Sequence, residues 1–367
     1  MVSQDVWVVL GGIVSSVYLY RCSLATKYPT LQLEAILLYP IKSLPPIQVS
    51  QATLAERGLQ GDRTFMLVSP KKSKTKAGDG NGDGDGNDLG KGEEDEWFGH
   101  YISDRPKGVV ILSSDHSLTI TAPNGAQYTT PLLPNFTTEN RRIKITMHSS
   151  SAETIDLGDE ASRFFTEACG TVGEEVRLVY MVPKERREVL GSMGGGGGGG
   201  ILIGEIRNGP RGAKNMVGLA FQDCASYMIA SSASLEAVRS QLNEPLSIIP
   251  FRPTFLVSPQ RGRSLAPWVE DWWAELRIAE KVSIRLTSNC VRCVSLNIDY
   301  AKGDFKTGSN LPFKVLTKTR LVDPGQPFSP VFGRYGFSQN VGETISVGDV
   351  VRVTKLNKSR TVFDWPL

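Results

Sequence analysis

Two cysteines and an arginine stand together in the stretch Cys290-Val291-Arg292-Cys293, and Asp299 follows them closely. A thiolate is both a nucleophile and a metal ligand, so this stretch is the first candidate for chemistry. Thiolates at this spacing are consistent with half of a zinc site, with a redox-active dithiol, or with a single soft ligand for a transition metal.

The rest of the chain argues against the first two of these sites. Zinc would need a second pair of ligands, yet Cys22, Cys169 and Cys224 are scattered singly. A thioredoxin-like pair would open a helix within a βαβ unit, whereas residues 293–298 have the alternating pattern of a strand. We therefore expect one thiolate that binds a soft or borderline metal.

Three cations occupy positions where proline or glycine fixes the backbone. Lys42 follows the end of a predicted strand, Arg63 follows a glycine-bounded turn, and Arg252 lies within Pro250-Phe251-Arg252-Pro253. Rigidly held cations suit a phosphate-bearing ligand, because the planar guanidinium group binds phosphate at two points. Taken alone, each cation is more often a solvated surface residue or half of an ion pair, but the shared setting favours an anion site.

Short strands dominate the elements that must position these side chains. The predicted strands are residues 33–40, 64–68, 109–112, 118–122, 142–147, 255–257, 281–286, 293–298 and 350–355. Helices are predicted at residues 159–168 and 232–242. Many short strands with few helices predict a mainly β fold with some α, in which each half of the chain forms a β-barrel.

Composition argues against several functional classes. The formal net charge of +3 is small and basic residues are spread along the 367-residue chain, so no nucleic-acid partner is expected. Five cysteines, an odd number without framework spacing, argue against a disulfide-built secreted protein and favour a reducing compartment. The three histidines, His100, His116 and His148, lack the spacing of a histidine zinc motif.

Two low-complexity segments divide the chain. Residues 71–96 are rich in Lys, Gly, Asp and Glu, and cannot bury enough apolar surface to order themselves. They lack the amphipathic helices that flank a calcium-binding loop. The glycine run at residues 194–200 leads into apolar residues rather than the Gly-Lys-Ser/Thr of a phosphate loop, so we expect it to be a flexible linker.

The N-terminus carries a separate signal. Residues 6–20 hold no charge, Asp5 precedes them, and Arg21 and Lys27 follow. This length is at the short end for a membrane span. The order of charges opposes a secretory signal and favours keeping the bulk of the chain in the cytosol. We expect residues 1–30 to form a single membrane anchor; a buried element of the core and a cleaved signal are the alternatives.

The thiol stretch and the three cations occur in an order that resembles the MOSC-domain proteins, in particular the mitochondrial amidoxime-reducing components. The resemblance runs from about residue 33 to residue 355, outside the two low-complexity segments. Its most specific pieces are Tyr39-Pro40-Ile41-Lys42-Ser43, Gly61-Asp62-Arg63, Phe251-Arg252-Pro253, Cys290-Val291-Arg292-Cys293 and Val347-Gly348-Asp349. It implies an N-terminal MOSC β-barrel domain at residues 31–185, a Gly-rich linker at 186–204, and a MOSC β-barrel domain at 205–358 packed against the first.

The resemblance also implies a molybdenum cofactor, which is a pterin dithiolene that holds molybdenum and carries a phosphate tail. Cys293 then corresponds to the protein ligand of molybdenum, and Asp299 to an acidic catalytic residue near the metal. Lys42, Arg63 and Arg252 correspond to residues that bind the anionic pterin. The implied activity is the reduction of N-hydroxylated compounds such as amidoximes and hydroxylamines. Because the chain has no flavin or nicotinamide fingerprint, electrons are expected from a b-type cytochrome and a flavin-dependent reductase.

The same resemblance implies the outer mitochondrial membrane with the enzyme facing the cytosol, and the endoplasmic reticulum is the alternative. A second hypothesis is a module that binds the molybdenum cofactor or transfers sulfur without reductase activity, because MOSC domains also occur at the end of molybdenum-cofactor sulfurases. This chain has no room for the large pyridoxal-phosphate domain of those proteins, which favours the reductase.

The chain departs from the family at three places. The arginine nearest to the strand expected at residues 101–106 is Arg105, and a Ser-rich turn is altered to Asp223-Cys224-Ala225-Ser226. Asp299 is followed by Tyr300, where relatives tend to have proline. We expect the contacts with the cofactor to differ at the altered turn.

Overall fold

A computed structural model describes residues 28–70, 97–99, 110–114, 116–147, 150–169, 174–182, 185, 187, 218–300 and 302–364. Residues 1–27 of the predicted anchor, the insertion at 71–96, Arg105 and all of the predicted linker except Arg187 lie outside these ranges. Across the described ranges, no helix is both long enough and apolar enough to cross a membrane.

Short strands make up most of the described structure. The first twelve are β1 (Thr30–Leu38), β2 (Ile47–Val49), β3 (Gln51–Ala55), β4 (Gly58–Leu59), β5 (Phe65–Pro70), β6 (Trp97–Gly99), β7 (Val110–Ser114), β8 (Ser117–Thr121), β9 (Gln127–Pro131), β10 (Arg142–Met147), β11 (Ser150–Asp156) and β12 (Arg177–Met181). The others are β13 (Tyr227–Ser231), β14 (Phe255–Pro259), β15 (Trp273–Ile278), β16 (Val282–Val291), β17 (Ile298–Asp299), β18 (Asp304–Phe305), β19 (Val331–Phe337), β20 (Thr344–Ser346) and β21 (Val350–Leu356).

The α-helices within the described residues are α1 (Asp159–Cys169), α2 (Ser232–Arg239) and α3 (Pro312–Thr319). The expectation of a mainly β fold with some helix is confirmed. Both predicted helices and all but one of the predicted strands are present, although several of them begin or end at residues other than those predicted.

Seven strands close into one barrel in the order β14-β13-β19-β16-β15-β21-β1. β1 completes the ring because it pairs with β14, where Ile36 faces Phe255, and with β21, where Leu31 faces Val351. Its side chains first alternate between buried and exposed and are all buried from Ala35 onward. This pattern is typical of a strand that runs from the surface into the core.

Five strands close into a second barrel in the order β10-β11-β12-β5-β6. Met66, Ile143 and Val179 belong to its apolar cluster, and so do Ala220 and Phe221, which precede β13. The segment that leads into the seven-stranded barrel therefore packs on the five-stranded one. The two-barrel architecture expected from the sequence is present.

Strand pairing crosses the boundary that the sequence suggested between the two domains. β1 and β2 fall within residues 31–185 apart from Thr30, yet β1 is a strand of the seven-stranded barrel and β2 pairs with it. β3 pairs with β20, close to the C-terminus. Lys42 therefore follows a strand of the seven-stranded barrel, whereas Arg63 precedes β5 of the five-stranded barrel. The two cations lie where the chain passes from one barrel to the other.

The predicted strand at residues 293–298 is wrong. β16 ends at Val291, Cys293 is extended, and Val294–Asn297 form a 3-10 helix. The alternation of apolar and polar residues misled the prediction because Asn297 is not a solvent-facing strand residue. It is buried, and its amide oxygen accepts a 3.2 Å hydrogen bond from the Phe313 N–H at the start of α3. The thiol of Cys293 is therefore presented at a turn.

Candidate functional site

A cavity of about 410 Å³, which we call the junction cavity, is lined by residues from both halves of the chain. Its lining residues are Lys42, Ser43, Arg63, Gln222, Asp223, Cys224, Ala225, Met228, Arg252, Thr254, Val291, Arg292, Cys293, Val294, Ser295, Phe305, Ser329, Tyr335 and Phe363. The three cations and the thiol singled out in the sequence all line it. Asp299 is not among the lining residues.

Lys42 lies just past the end of β1. Its main-chain N–H donates a 2.8 Å hydrogen bond to the Phe65 oxygen, and its ammonium group donates to the Phe221 oxygen at 3.0 Å. The ammonium group also forms an ion pair with Asp223, whose side chain is 57% exposed. Burial lowers the pKa of Lys42, and Asp223 acts in the opposite direction. Lys42 is thus a buried cation whose counter-ion faces solvent.

Arg63 and Arg252 contact the same aromatic ring. Their guanidinium carbons lie 4.3 and 4.4 Å from the centre of the Tyr39 ring, within the range of a cation–π contact. The Arg252 Nη1 donates a 2.9 Å hydrogen bond to the Leu44 oxygen. Asp62 balances the charge of Arg63, so the group keeps the charge of Arg252 as a net positive charge that attracts an anion. The arrangement suits a ligand that carries phosphate.

The backbone at these positions is unusual. Ser43, Arg63 and Arg252 have φ angles of 71°, 51° and 52°, in the left-handed region that residues other than glycine seldom adopt. Residues held in sparsely populated conformations cost about 1–3 kcal/mol each and cluster at functional sites. At Arg252 this conformation ends the 3-10 helix Ile249–Phe251, because a left-handed residue is a common helix C-cap.

Sequence reasoning missed two residues that support Arg63. Asp62 is 1% exposed and accepts hydrogen bonds from the Tyr39 N–H at 2.9 Å and from the Arg63 Nη1 at 2.6 Å. Tyr39 is fully buried, burial raises the pKa of its phenol, and its hydroxyl has no hydrogen-bond partner within the described structure. Both residues lie inside the motifs around Lys42 and Arg63, but their types alone do not distinguish them from a core tyrosine and a turn aspartate.

The two thiols of the Cys290-Val291-Arg292-Cys293 stretch have different surroundings. Cys290 is fully buried, and the Arg292 Nη1 donates a 2.7 Å hydrogen bond to its sulfur. Cys293 is exposed, lines the junction cavity, and has its sulfur 3.0 Å from the Ser295 hydroxyl oxygen. Cys293 is therefore the thiol that a ligand in the cavity can reach.

No three His, Cys, Asp or Glu side chains in the described part of the chain come together as a metal site. A metal at Cys293 would therefore take further ligands from a cofactor or from water. A cofactor with its own sulfur donors and a phosphate tail fits the residues present, because one accessible thiol and three cations line the same cavity.

The turn at residues 223–226, where the resemblance predicts a Ser-rich turn, also lines the cavity through Asp223, Cys224 and Ala225. Cys224 is 3% exposed, and burial raises the pKa of its thiol. A thiol with a raised pKa is protonated at neutral pH and is a poor metal ligand. This part of the wall therefore offers a carboxylate and a neutral thiol in place of the expected hydroxyl groups.

Asp299 belongs to the short strand β17. Its carboxylate accepts a 3.3 Å hydrogen bond from the Lys302 N–H, and its main-chain oxygen accepts one from the Gly303 N–H at 2.7 Å. The neighbouring Tyr300 reaches further, because its hydroxyl oxygen lies 3.1 Å from the Arg252 Nη1, a hydrogen-bond donor. Tyr300, at the position where the resemblance predicts proline, thus contacts one of the predicted cofactor-binding cations.

Comparison with known proteins identifies two families. The MOSC domain matches residues 218–352, and the MOSC N-terminal beta barrel domain matches residues 30–77. Mitochondrial amidoxime-reducing component 1 of Mus musculus is 23% identical over 86% of this chain and 79% of its own length. The protein of that name from Homo sapiens is 26% identical over 86% of this chain and 80% of its own length. The molybdenum cofactor sulfurase of Emericella nidulans is 31% identical over 38% of this chain but only 16% of that protein.

Proposed function

We propose that this MOSC-domain protein, which joins a MOSC N-terminal beta barrel domain to a MOSC domain, is a molybdenum-cofactor-dependent oxidoreductase that reduces N-hydroxylated compounds. Amidoximes and hydroxylamines are the proposed substrates. The observation that carries the proposal is the convergence of Lys42, Arg63, Arg252 and the exposed Cys293 on one cavity. The names of relatives that align with most of the chain support the same activity.

The overall reaction cleaves the N–O bond of the substrate. It consumes two electrons and two protons, leaves an N–H bond, and releases the oxygen as water. When bound, the cofactor would supply the two-electron redox chemistry that this reaction needs. The residues of the chain bind and orient the cofactor and shape the cavity beside it.

Each side chain has a proposed role in that binding. Cys293 is the metal ligand because its thiol faces the cavity, and Lys42, Arg63 and Arg252 bind the anionic tail. Asp62 holds Arg63 through a hydrogen bond of 2.6 Å. Asp299 is proposed as the acidic catalytic residue near the metal that the resemblance implies, and its carboxylate accepts a 3.3 Å hydrogen bond from the Lys302 N–H.

Electrons are proposed to come from a b-type cytochrome that is reduced by a flavin-dependent reductase, because the sequence lacks a flavin or nicotinamide fingerprint. An N-terminal anchor in the outer mitochondrial membrane, with the catalytic bulk in the cytosol, would raise the local concentration of a membrane-bound donor. The word mitochondrial in the names of the relatives supports this location. The endoplasmic reticulum is the alternative.

A second candidate function is a module that binds the molybdenum cofactor or transfers sulfur without turnover of its own. The local 31% identity with a molybdenum cofactor sulfurase is the observation that favours it. Molybdenum content and amidoxime reduction by the purified protein, with an artificial electron donor, separate the two functions. Stoichiometric molybdenum with turnover supports the reductase. Stoichiometric molybdenum without turnover supports the module, and a protein that cannot be loaded with molybdenum contradicts both.

A further inference from the structure

The chain continues past β21 as a C-terminal segment, residues 357–364, which begins beyond the end of the MOSC match at residue 352. The Asn357 N–H donates a 2.8 Å hydrogen bond to the Trp272 oxygen. The Arg360 guanidinium group then forms an ion pair with Asp271, which is fully buried. The Thr361 hydroxyl oxygen accepts a 3.1 Å hydrogen bond from the buried Arg334. The segment is thus bound to the core through one main-chain oxygen and two buried charged side chains.

The end of this segment is also bound to the core. The Phe363 N–H donates a 2.9 Å hydrogen bond to Asp323, whose other carboxylate oxygen accepts one of 2.9 Å from Asn289 on β16. Gly325 is required where the segment passes, because a Cβ atom at this position would lie 1.8 Å from the Phe363 oxygen. Asn289 directly precedes Cys290, so the C-terminal segment is connected to the strand that leads to the cavity thiol.

Phe363 brings this segment into the junction cavity. Its side chain is 1% exposed, lines the cavity, and packs in one apolar cluster with Cys224, Ala225 and Phe337. The lining also includes apolar Val294. The cavity therefore combines the cations expected to bind a cofactor with an apolar region that suits the carbon skeleton of a substrate.

We propose that the C-terminal segment is a wall of the junction cavity and that Phe363 determines substrate specificity by packing on the apolar body of the substrate and limiting its size. The proposal rests on the proposed reductase function for the identity of the substrate. The substrate class is then N-hydroxylated compounds with a compact apolar group. A substituent that extends to the place of the Phe363 ring is excluded by steric overlap.

The wall is tested without reference to activity, by the alkylation rate of Cys224 in the full-length protein. N-ethylmaleimide is the probe, and modification of each cysteine peptide is followed by mass spectrometry. Phe363→Ala removes the ring, and Gly325→Ala displaces the segment by its Cβ contact. Both variants are expected to alkylate Cys224 severalfold faster than the unsubstituted protein, whereas the rate at Cys169 on α1 serves as an internal reference.

Two further variants control for loss of packing. Phe363→Leu keeps an apolar side chain and is expected to keep Cys224 protected. Phe328→Ala removes an aromatic ring that is 86% exposed and does not line the cavity, so it is expected to leave every rate unchanged. Unchanged alkylation of Cys224 in both Phe363→Ala and Gly325→Ala would overturn the assignment of the segment as a wall.

Specificity is tested with a pair of amidoximes, one carrying a simple phenyl group and one carrying a bulky substituted ring. Phe363→Ala is expected to raise KM for the compact substrate more than it lowers kcat, and to raise the ratio of kcat/KM for bulky over compact by about tenfold. If Cys224 becomes exposed but the ratio of the two kcat/KM values does not change, Phe363 closes the cavity but does not select substrates. If no N-hydroxylated compound is reduced, the proposed function fails and specificity fails with it, while the alkylation rates still decide whether the segment is a wall.

Discussion

The Arg63 Nη2 donates a 3.3 Å hydrogen bond to the main-chain oxygen of Arg252, although 189 positions separate the two residues in sequence. Both guanidinium groups also contact the Tyr39 ring. Arg63 precedes a strand of the five-stranded barrel, and Arg252 precedes a strand of the seven-stranded barrel. The two barrels are therefore in direct contact through these residues. Asp62 offsets only one of these two charges, so a net positive charge remains that favours the binding of an anion between the two parts of the chain.

Removal of either arginine is expected to weaken retention of the cofactor. A hydrogen bond between charged groups contributes about 1.5–3 kcal/mol, so Arg63→Ala or Arg252→Ala should lower occupancy about tenfold or more. Lys42→Ala should act in the same direction. Molybdenum and pterin content per chain are the measurements. Arg142→Ala is the matched control, because Arg142 is half exposed, pairs with Glu153, and does not line the cavity. Equal losses in the control would contradict the anion site.

Tyr39 offers a pair of variants that separates its ring from its hydroxyl group. Tyr39→Phe keeps both cation–π contacts and removes a buried hydroxyl that has no partner in the described structure. It should therefore bind the cofactor normally and gain up to about 1–3 kcal/mol in stability, the cost of an unsatisfied buried polar group. Tyr39→Leu loses the ring and should lower both cofactor content and the midpoint of denaturant unfolding. Identical behaviour of the two variants would show that the ring has no special role.

Much of this arrangement was predictable from local patterns, and the rest was not. Strand periodicity and the proline and glycine positions predicted β1, β10, α1 and the three cations, because these features depend on neighbours in sequence. The closing of the seven-stranded barrel by β1 depends on pairing with strands more than two hundred residues away, and no local pattern encodes that register. The turn after Cys293 was missed because its geometry depends on a tertiary hydrogen bond between Asn297 and Phe313.

The role of Phe363 was missed for a similar reason. Its ring is a cavity residue only because the segment is held by Asp271 and Asp323 and passes over Gly325. None of these contacts is close in sequence. Conversely, apolar and polar residues do alternate at residues 293–298, but they belong to a turn and not to a strand.

Affinity for an anion should depend on pH through Lys42. Burial lowers the pKa of its ammonium group below the ordinary 10.5. The positive charge, and with it the attraction for an anion, is therefore lost as pH rises through this lowered pKa, before 10.5 is reached. Titration of the cofactor-free protein with pyrophosphate at several pH values measures the effect. Lys42→Arg keeps its charge over the whole range and should bind with little pH dependence.

The same shift has an opposite consequence for the protein without an anion. The unfolded chain holds the Lys42 proton more tightly than the folded protein, so stability should increase as pH rises between the lowered pKa and 10.5. Urea unfolding at matched pH values checks this direction. An increase of the same size in Lys42→Arg would assign the effect to another group.

The two cysteines of the thiol stretch should respond to substitution in opposite ways. Cys290 is buried and accepts a hydrogen bond from Arg292, whose Nε has no partner among the described residues. Cys290→Ala leaves that guanidinium group with fewer partners and should cost about 1–3 kcal/mol of stability while molybdenum is retained. Cys293 is exposed, so Cys293→Ala should change stability by less than about 0.5 kcal/mol and abolish both molybdenum binding and amidoxime reduction. Unfolding curves and metal analysis on the same preparations give both quantities. Loss of molybdenum in the Cys290 variant alone would reverse the assignment of the ligand, and equal loss in both would indicate a site that uses the two thiols together.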